Sequence, residues 1–209
     1  MATKEETEIR LREIKRSFNR IMDGTAAKSM RDKGLDYKLN WGASVALLKD
    51  MAKDLGKKDR DLAEALWKED IRECKILATM VMPSQEMPED LAEKWMEETK
   101  TLEVAEMAAL NLYQHLPYAA DKAFRWIASE NQLGQVSGFH ILSRLFMKGI
   151  TPNEKGMYEY LDQTMAALKG GKMPVAKAAL ASLYRFAELG IVYERMAKST
   201  AKENGLDVF

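Results

Sequence analysis

The chain has 209 residues, 46% of them hydrophobic and 31% charged, with 32 Lys/Arg balanced by 32 Asp/Glu. That composition excludes a disordered chain and supplies apolar material for a core. The zero net charge lacks the overall basic field that is the simplest footprint of a nucleic-acid binder. The charge is uneven, however: residues 1–60 carry 15 basic and 10 acidic groups, 61–130 carry 7 and 15, and 131–209 carry 10 and 7.

In chain order, residues 5–22 read as an amphipathic helix with Ile9, Ile14, Phe18 and Ile21 near helical period. Gly24 and Gly34 bracket a looser basic stretch, and Asn40-Trp41-Gly42 reads as a turn. Ser44 caps a helix to Leu55 whose apolar stripe is Val45, Leu48, Met51 and Leu55, with Gly56 as its stop. Asp59 caps a helix carrying Leu62, Leu66 and Trp67, and Asp70 opens another that holds Ile71, Ile76, Leu77 and Met80 and ends at Pro83.

Pro88 starts a helix through Leu91, Trp95 and Met96, and Thr101 caps a long one through Val104, Ala108, Leu112 and Leu116. Pro117 separates that from a helix with Ala120, Phe124 and Ile127. Asn131 precedes a helix through Phe139, Leu142, Leu145 and Phe146, stopped by Gly149. Thr151-Pro152-Asn153-Glu154 has the form of a capping box with proline at the first helical position. Gly170-Gly171 stops that helix, Pro174 starts the next, which ends at Gly190, and a last helix runs toward Asn204.

About ten helices with short connectors and no strand hairpin define an all-α chain. Short connectors make sequential helices antiparallel. Similar-length pairs point to a curved HEAT-like (ARM-repeat type) α-solenoid forming a single domain over 1–209, with a globular bundle as the alternative. No crisp sequence repeat is present.

The chemistry-bearing residues are few. Cys74 is the sole cysteine, so an internal disulfide and a cysteine zinc site are both excluded, and a buried inert thiol is expected. His115 and His140 are the only histidines and form no metal-binding spacing; no metal and no cofactor are expected. Gly170-Gly171-Lys172 lacks the rest of a phosphate loop. The N-terminus is charged at once, and no apolar run approaches 18 residues, so the expectation is a cytoplasmic protein with no membrane contact.

Acidic residues concentrate between Glu86 and Glu106, mostly as a solvated helix face. Glu103 and Glu106 differ, sitting in the first turns of the helix capped by Thr101, where the dipole favours anions. Glu106 lies among Val104, Ala105, Met107 and Ala108, which points to partial burial and a raised pKa. Trp67, Arg72 and Glu73 group at a helix junction, where they either lock two helices together or present Arg72 to a phosphate. Basic and aromatic residues interleave again at Lys122, Arg125 and Trp126, at Arg144 and Lys148, and at Lys177 and Arg185. If alternate helices line one concave wall, these form the row of cations that phosphates need.

The run Leu62–Ala78, with Leu62-Ala63, Leu66-Trp67, Arg72-Glu73 and Ala78, resembles the signature of the DNA alkylation repair (AlkD-like) family. Asn40-Trp41-Gly42 followed by Leu47 and Leu48 resembles the segment before that signature, and Trp126-Ile127-Ala128-Ser129-Glu130-Asn131 resembles a later one. The similarity spans about residues 40–150. It implies a HEAT-like solenoid that holds duplex DNA in a concave cationic groove and hydrolyses the N-glycosidic bond of N3- or N7-alkylated purines. Trp67, Arg72, Lys75, Arg125, Trp126, Arg144, Lys148, Lys177 and Arg185 are the DNA-contact candidates. The resemblance places Glu106, with Glu103 beside it, where the family has an essential aspartate. Leu102 stands where a tryptophan is usual, and Gln132-Leu133-Gly134-Gln135-Val136 where paired arginines are usual. A non-enzymatic helical scaffold with a protein partner is the other reading of the same array.

Overall fold

A computed structural model describes residues 3–56, 58–170 and 173–209. Twelve α-helices and three short 3-10 turns make up the regular structure of those residues, joined by a single isolated bridge between Leu39 and Ile71. They fall into two compact units, Met1–Pro88 and Glu89–Phe209. None of the helices is long and apolar enough to cross a membrane.

The first unit holds α1 (Lys4–Ser17), α2 (Gly24–Asp32), α3 (Val45–Asp54), α4 (Arg60–Lys68) and α5 (Arg72–Val81). Helix α4 packs on α1 and α5, and α5 also packs on α3. Ile14, Phe18, Leu48, Leu62, Leu66, Ile76 and Leu77 fill the space between them. Ser44 and Asp59 cap α3 and α4 by accepting from Leu47 N and Leu62 N, as their positions predict. Ile9, expected on the apolar stripe of α1, is exposed; the residues that reach the core are Thr7 near the start of α1, Ile14 in its last turn and Phe18 in the 3-10 turn after it.

Helix α2 departs from the looser stretch expected there. It buries only Ala27, so no apolar period announces it. Its stability comes from the Asp23 cap, whose carboxylate accepts from Ala26 N at 2.9 Å, and from docking on the Trp41-Gly42 turn. Asp23 N donates to Trp41 O at 2.9 Å. Gly42 sits at φ +72°, and a Cβ there would lie 2.2 Å from Asp23 O and 2.6 Å from Ala27 N, so glycine is required by both conformation and space. The helix after Asp70 also begins later than expected. Ile71 is its cap residue, and the Asp70 carboxylate instead accepts from Lys38 N at 3.2 Å.

The second unit holds α6 (Glu89–Glu97), α7 (Leu102–Asn111), α8 (Ala119–Ile127), α9 (Gln132–Met147), α10 (Glu154–Lys169), α11 (Met173–Ala187) and α12 (Ile191–Glu203). Helix α9 is the spine, packed on α7, α8 and α11. Its approach to α8 is close at Gly138, where a Cβ would meet Ile127 Cγ2 at 2.7 Å and Ala123 O at 2.8 Å. Ser137 Oγ donates to Ala105 O at 3.1 Å, tying α9 to α7. Phe146, Tyr160, Phe186 and Tyr193 stack at centroid distances of 5.1–5.5 Å and join α9 to α10, α11 and α12.

Two boundaries differ from the sequence reading. Helix α7 ends at Asn111 and tightens into a 3-10 turn at Tyr113–His115, since Pro117 holds Leu116 extended at ψ 144°. The cap of α10 is Asn153, accepting from Gly156 N at 2.8 Å, so Pro152 precedes the cap and does not open the helix. Gly171 and Lys172, part of the expected stop and linker, lie outside the described residues.

Candidate nucleic-acid interface

At the α4–α5 junction, helix α5 starts with an adjacent acid and base that are both buried, Glu73 at 0% and Arg72 at 1% exposure. Their ion pair is 3.0 Å long. Glu73 Oε2 accepts from Trp41 N at 3.1 Å, and its Oε1 accepts from Ala43 N at 3.2 Å. Arg72 Nη1 donates to Ala43 O at 2.8 Å. The pair therefore fastens the 38–43 loop onto α5, and the Leu39–Ile71 bridge continues the same seam. Trp67 is buried, and Lys75 folds back on it, with Nζ 4.5 Å from the ring centre and donating to the Trp67 carbonyl. Of the two readings open for Trp67 and Arg72, the structure takes the helix lock: side chains this buried offer no face to a phosphate. The neighbouring Cys74 thiol is buried and its pKa is pushed up by that burial, as befits an inert thiol.

On α8, Trp126 is buried and donates through Nε1 to the Glu93 carboxylate of α6 at 3.2 Å, a carboxylate that also accepts from buried Lys122 Nζ at 3.1 Å. Arg125 is exposed, 3.3 Å from Glu89. Here too, the tryptophan and lysine bind helices together, while only Arg125 faces solvent.

The face formed by α7 and α9 is different. Glu103 and Glu106 lie in the first turns of α7. Burial raises the Glu106 pKa from its ordinary value, with the Glu103 charge adding to it. His140 on α9 places Nε2 3.8 Å from Glu106 Oε1. Burial lowers the His140 pKa, and Arg144 one turn further on lowers it again. An effective ion pair shifts the two groups the other way, so at neutral pH Glu106 faces a neutral imidazole. Arg144 has Met147 Sδ at 3.9 Å and no carboxylate partner among the described residues. Lys148 and Lys177 are exposed and likewise without one. Arg185 pairs with Glu188 at 2.6 Å.

A cleft of about 800 Å³ opens between α9, α11 and α12, lined by His140, Arg144, Tyr184, Lys198 and Phe209 among others. Sequence reasoning left His140 aside, although its spacing of four from Arg144 puts both on one helical face. Tyr184 adjoins the candidate Arg185 in sequence and shares the cleft with it. Phe209 carries no local signal; it reaches the cleft because Tyr184 Oη donates to Val208 O at 2.8 Å.

Where the resemblance implies a tryptophan and paired arginines, Leu102 is partly exposed in the first turn of α7, Gln135 donates from Nε2 to Ser129 O at 2.8 Å, and Val136 is buried. Glu106 thus stands without an aromatic neighbour or a guanidinium from those two segments.

These features are those of a HEAT-like helical-repeat protein. Residues 14–165 match the family described as DNA alkylation repair enzyme, and the chain belongs to that family. A solved structure described as "a new family of proteins related to the HEAT-like repeat DNA glycosylases with affinity for branched DNA structures" is similar over 93% of this chain and 83% of its own. The TM-score is 0.81 at 18% identity, which speaks for the fold alone. No curated protein is detectably similar to this chain.

Proposed function

We propose that this protein binds DNA and is a weak base-excision catalyst at most. Its family and the described affinity of its structural neighbour support the partner. Arg144 on α9, Lys148 at its C-cap and Lys177 on α11, which have no carboxylate partner among the described residues, supply phosphate contacts. The observation that carries the catalytic half is the surroundings of Glu106.

Excision of an alkylated purine breaks the C1′–N bond, the base leaves with its bonding electrons as a neutral molecule, and water adds to C1′ with release of a proton. A carboxylate assists by stabilising positive charge on the sugar, and does so best where water is excluded. Glu106 is about two-fifths exposed, faces a neutral imidazole, and lacks the ring and the guanidinium that would position a lesion.

The test pairs a gel shift on duplex DNA at low salt with an assay of alkylpurine release from methylated duplex. The expected result is a salt-sensitive complex with release near the uncatalysed rate. Absence of a complex at low salt overturns the DNA reading, and rapid release that Glu106→Gln abolishes overturns the catalytic half.

A further inference from the structure

The cleft of the second unit holds two aromatic rings that the proposed duplex contacts do not use. Tyr184 on α11 and Phe209 after α12 meet at an interplanar angle of 85°, with centroids 5.6 Å apart. They are 42% and 46% exposed, so both residues are accessible from solvent. Two rings set at right angles form a corner: a planar group stacked on one meets the edge of the other, and both contacts are favourable aromatic geometries.

The charges around this corner are sorted. Glu188 is taken by Arg185 at 2.6 Å, and Glu194 by Lys198 at 2.6 Å. Lys198 Nζ also lies 5.9 Å from the Phe209 ring centre. Arg144 remains, on the α9 wall, as a guanidinium with no carboxylate partner among the described residues, and His140 lies one turn before it. An aromatic corner with one guanidinium not neutralised by a carboxylate among the described residues suits a ligand that is planar at one end and anionic at the other. A duplex cannot present that ligand, because its bases are stacked and paired; an unstacked nucleotide can.

We propose that this cleft takes an unpaired nucleotide of DNA, its base against Tyr184 and Phe209 and its phosphate on Arg144. The inference rests on the DNA reading above and names the substrate class within it: DNA with single-stranded ends, gaps or flaps. It also gives the aromatic and guanidinium groups missing beside Glu106 a counterpart elsewhere in the same unit, built for holding a nucleotide and with no part in cutting a bond.

The experiment is fluorescence anisotropy of the full chain with a labelled oligothymidylate of about 12 nucleotides, within the usual site size for such platforms, beside a fully paired duplex of equal length. Stacking on an aromatic side chain is worth enough that Tyr184→Ala and Phe209→Ala should each weaken oligothymidylate binding on the order of ten-fold. Duplex binding should be unchanged in both. Tyr184→Phe keeps the stacking ring but loses the bond to Val208 that holds Phe209 at the cleft, so it should keep part of the single-strand affinity and bind better than Tyr184→Ala; Arg144→Gln should weaken it. Unchanged oligothymidylate binding in both alanine variants overturns the inference and leaves the DNA reading standing, as does equal weakening of both probes with Tyr184→Phe no better than Tyr184→Ala. A wild-type chain that binds neither probe overturns the DNA reading itself.

Discussion

Replacing Glu73 by alanine tests how the family signature acts in this chain. The carboxylate has 0% exposure and serves three donors: Arg72 Nη1 at 3.0 Å, Trp41 N at 3.1 Å and Ala43 N at 3.2 Å. Its removal strands the buried Arg72 charge and takes an acceptor from two backbone N–H groups of the 38–43 loop. Breaking one side of a buried, hydrogen-bonded pair costs about 3–5 kcal/mol, a large part of the roughly 5–15 kcal/mol that holds a typical domain. With a urea slope of about 2 kcal/mol/M, the midpoint should fall by roughly 1.5–2.5 M. Glu73→Gln retains one amide oxygen for Arg72 and Ala43, so its loss should be clearly smaller. Trp41 and Trp67 lie in the first unit and provide the fluorescence signal. A loss below about 1 kcal/mol in the alanine variant, where stranded charge alone should exceed that, would refute the lock.

Other changes have directions fixed by the same structure. Gly138→Ala places a Cβ 2.7 Å from Ile127 Cγ2 and 2.8 Å from Ala123 O. It should destabilise the second unit by about 1–3 kcal/mol in denaturant unfolding, because neither a helix backbone nor a core methyl can yield freely. Glu106 has a raised pKa in the folded chain, so the stability it contributes is present at acid pH and is lost as pH rises through its folded pKa. Glu106→Gln should therefore raise the melting temperature at pH 7 and leave it unchanged near pH 3; a loss at pH 7 would contradict the burial assigned to that carboxylate. His140 is shifted the other way, so its contribution is present above the ordinary histidine value of 6.5 and is lost as pH falls through its folded pKa. An NMR titration should find His140 below 6.5, whereas a value above it would mean that Glu106 holds a charged imidazole.

Much of the helical framework was legible in the sequence because its signals are local. Ser44, Asp59 and Thr101 cap helices as their spacing predicts, each accepting from a backbone N–H three residues on, and Asn131, read as preceding a helix, caps it too. Helix α2 was not legible, since its stability is tertiary: one buried alanine and a turn that contacts it from fifteen residues away. The same limit governs the site. Trp67, Arg72 and Trp126 have the residue types of a phosphate-binding row, but burial decides their role, and burial depends on partners such as Ala43 and Glu93 that lie about 30 residues distant. Glu106 was found through its position in the family pattern, and its partial burial followed from its apolar neighbours. Its pairing with His140 joins two helices, and the Tyr184–Phe209 corner joins residues 25 apart through one hydrogen bond to the backbone.

Affinity for a short duplex measured across salt concentration tests DNA binding most directly. Each phosphate neutralised by a lysine or arginine contributes about −0.9 to the slope of log K against log salt. A linear decline is expected, with a slope shallower by about 2 when Arg144 and Lys148 are both replaced by glutamine. Binding that is absent at low salt, or whose salt slope is unaltered by removing both cations, would contradict that expectation.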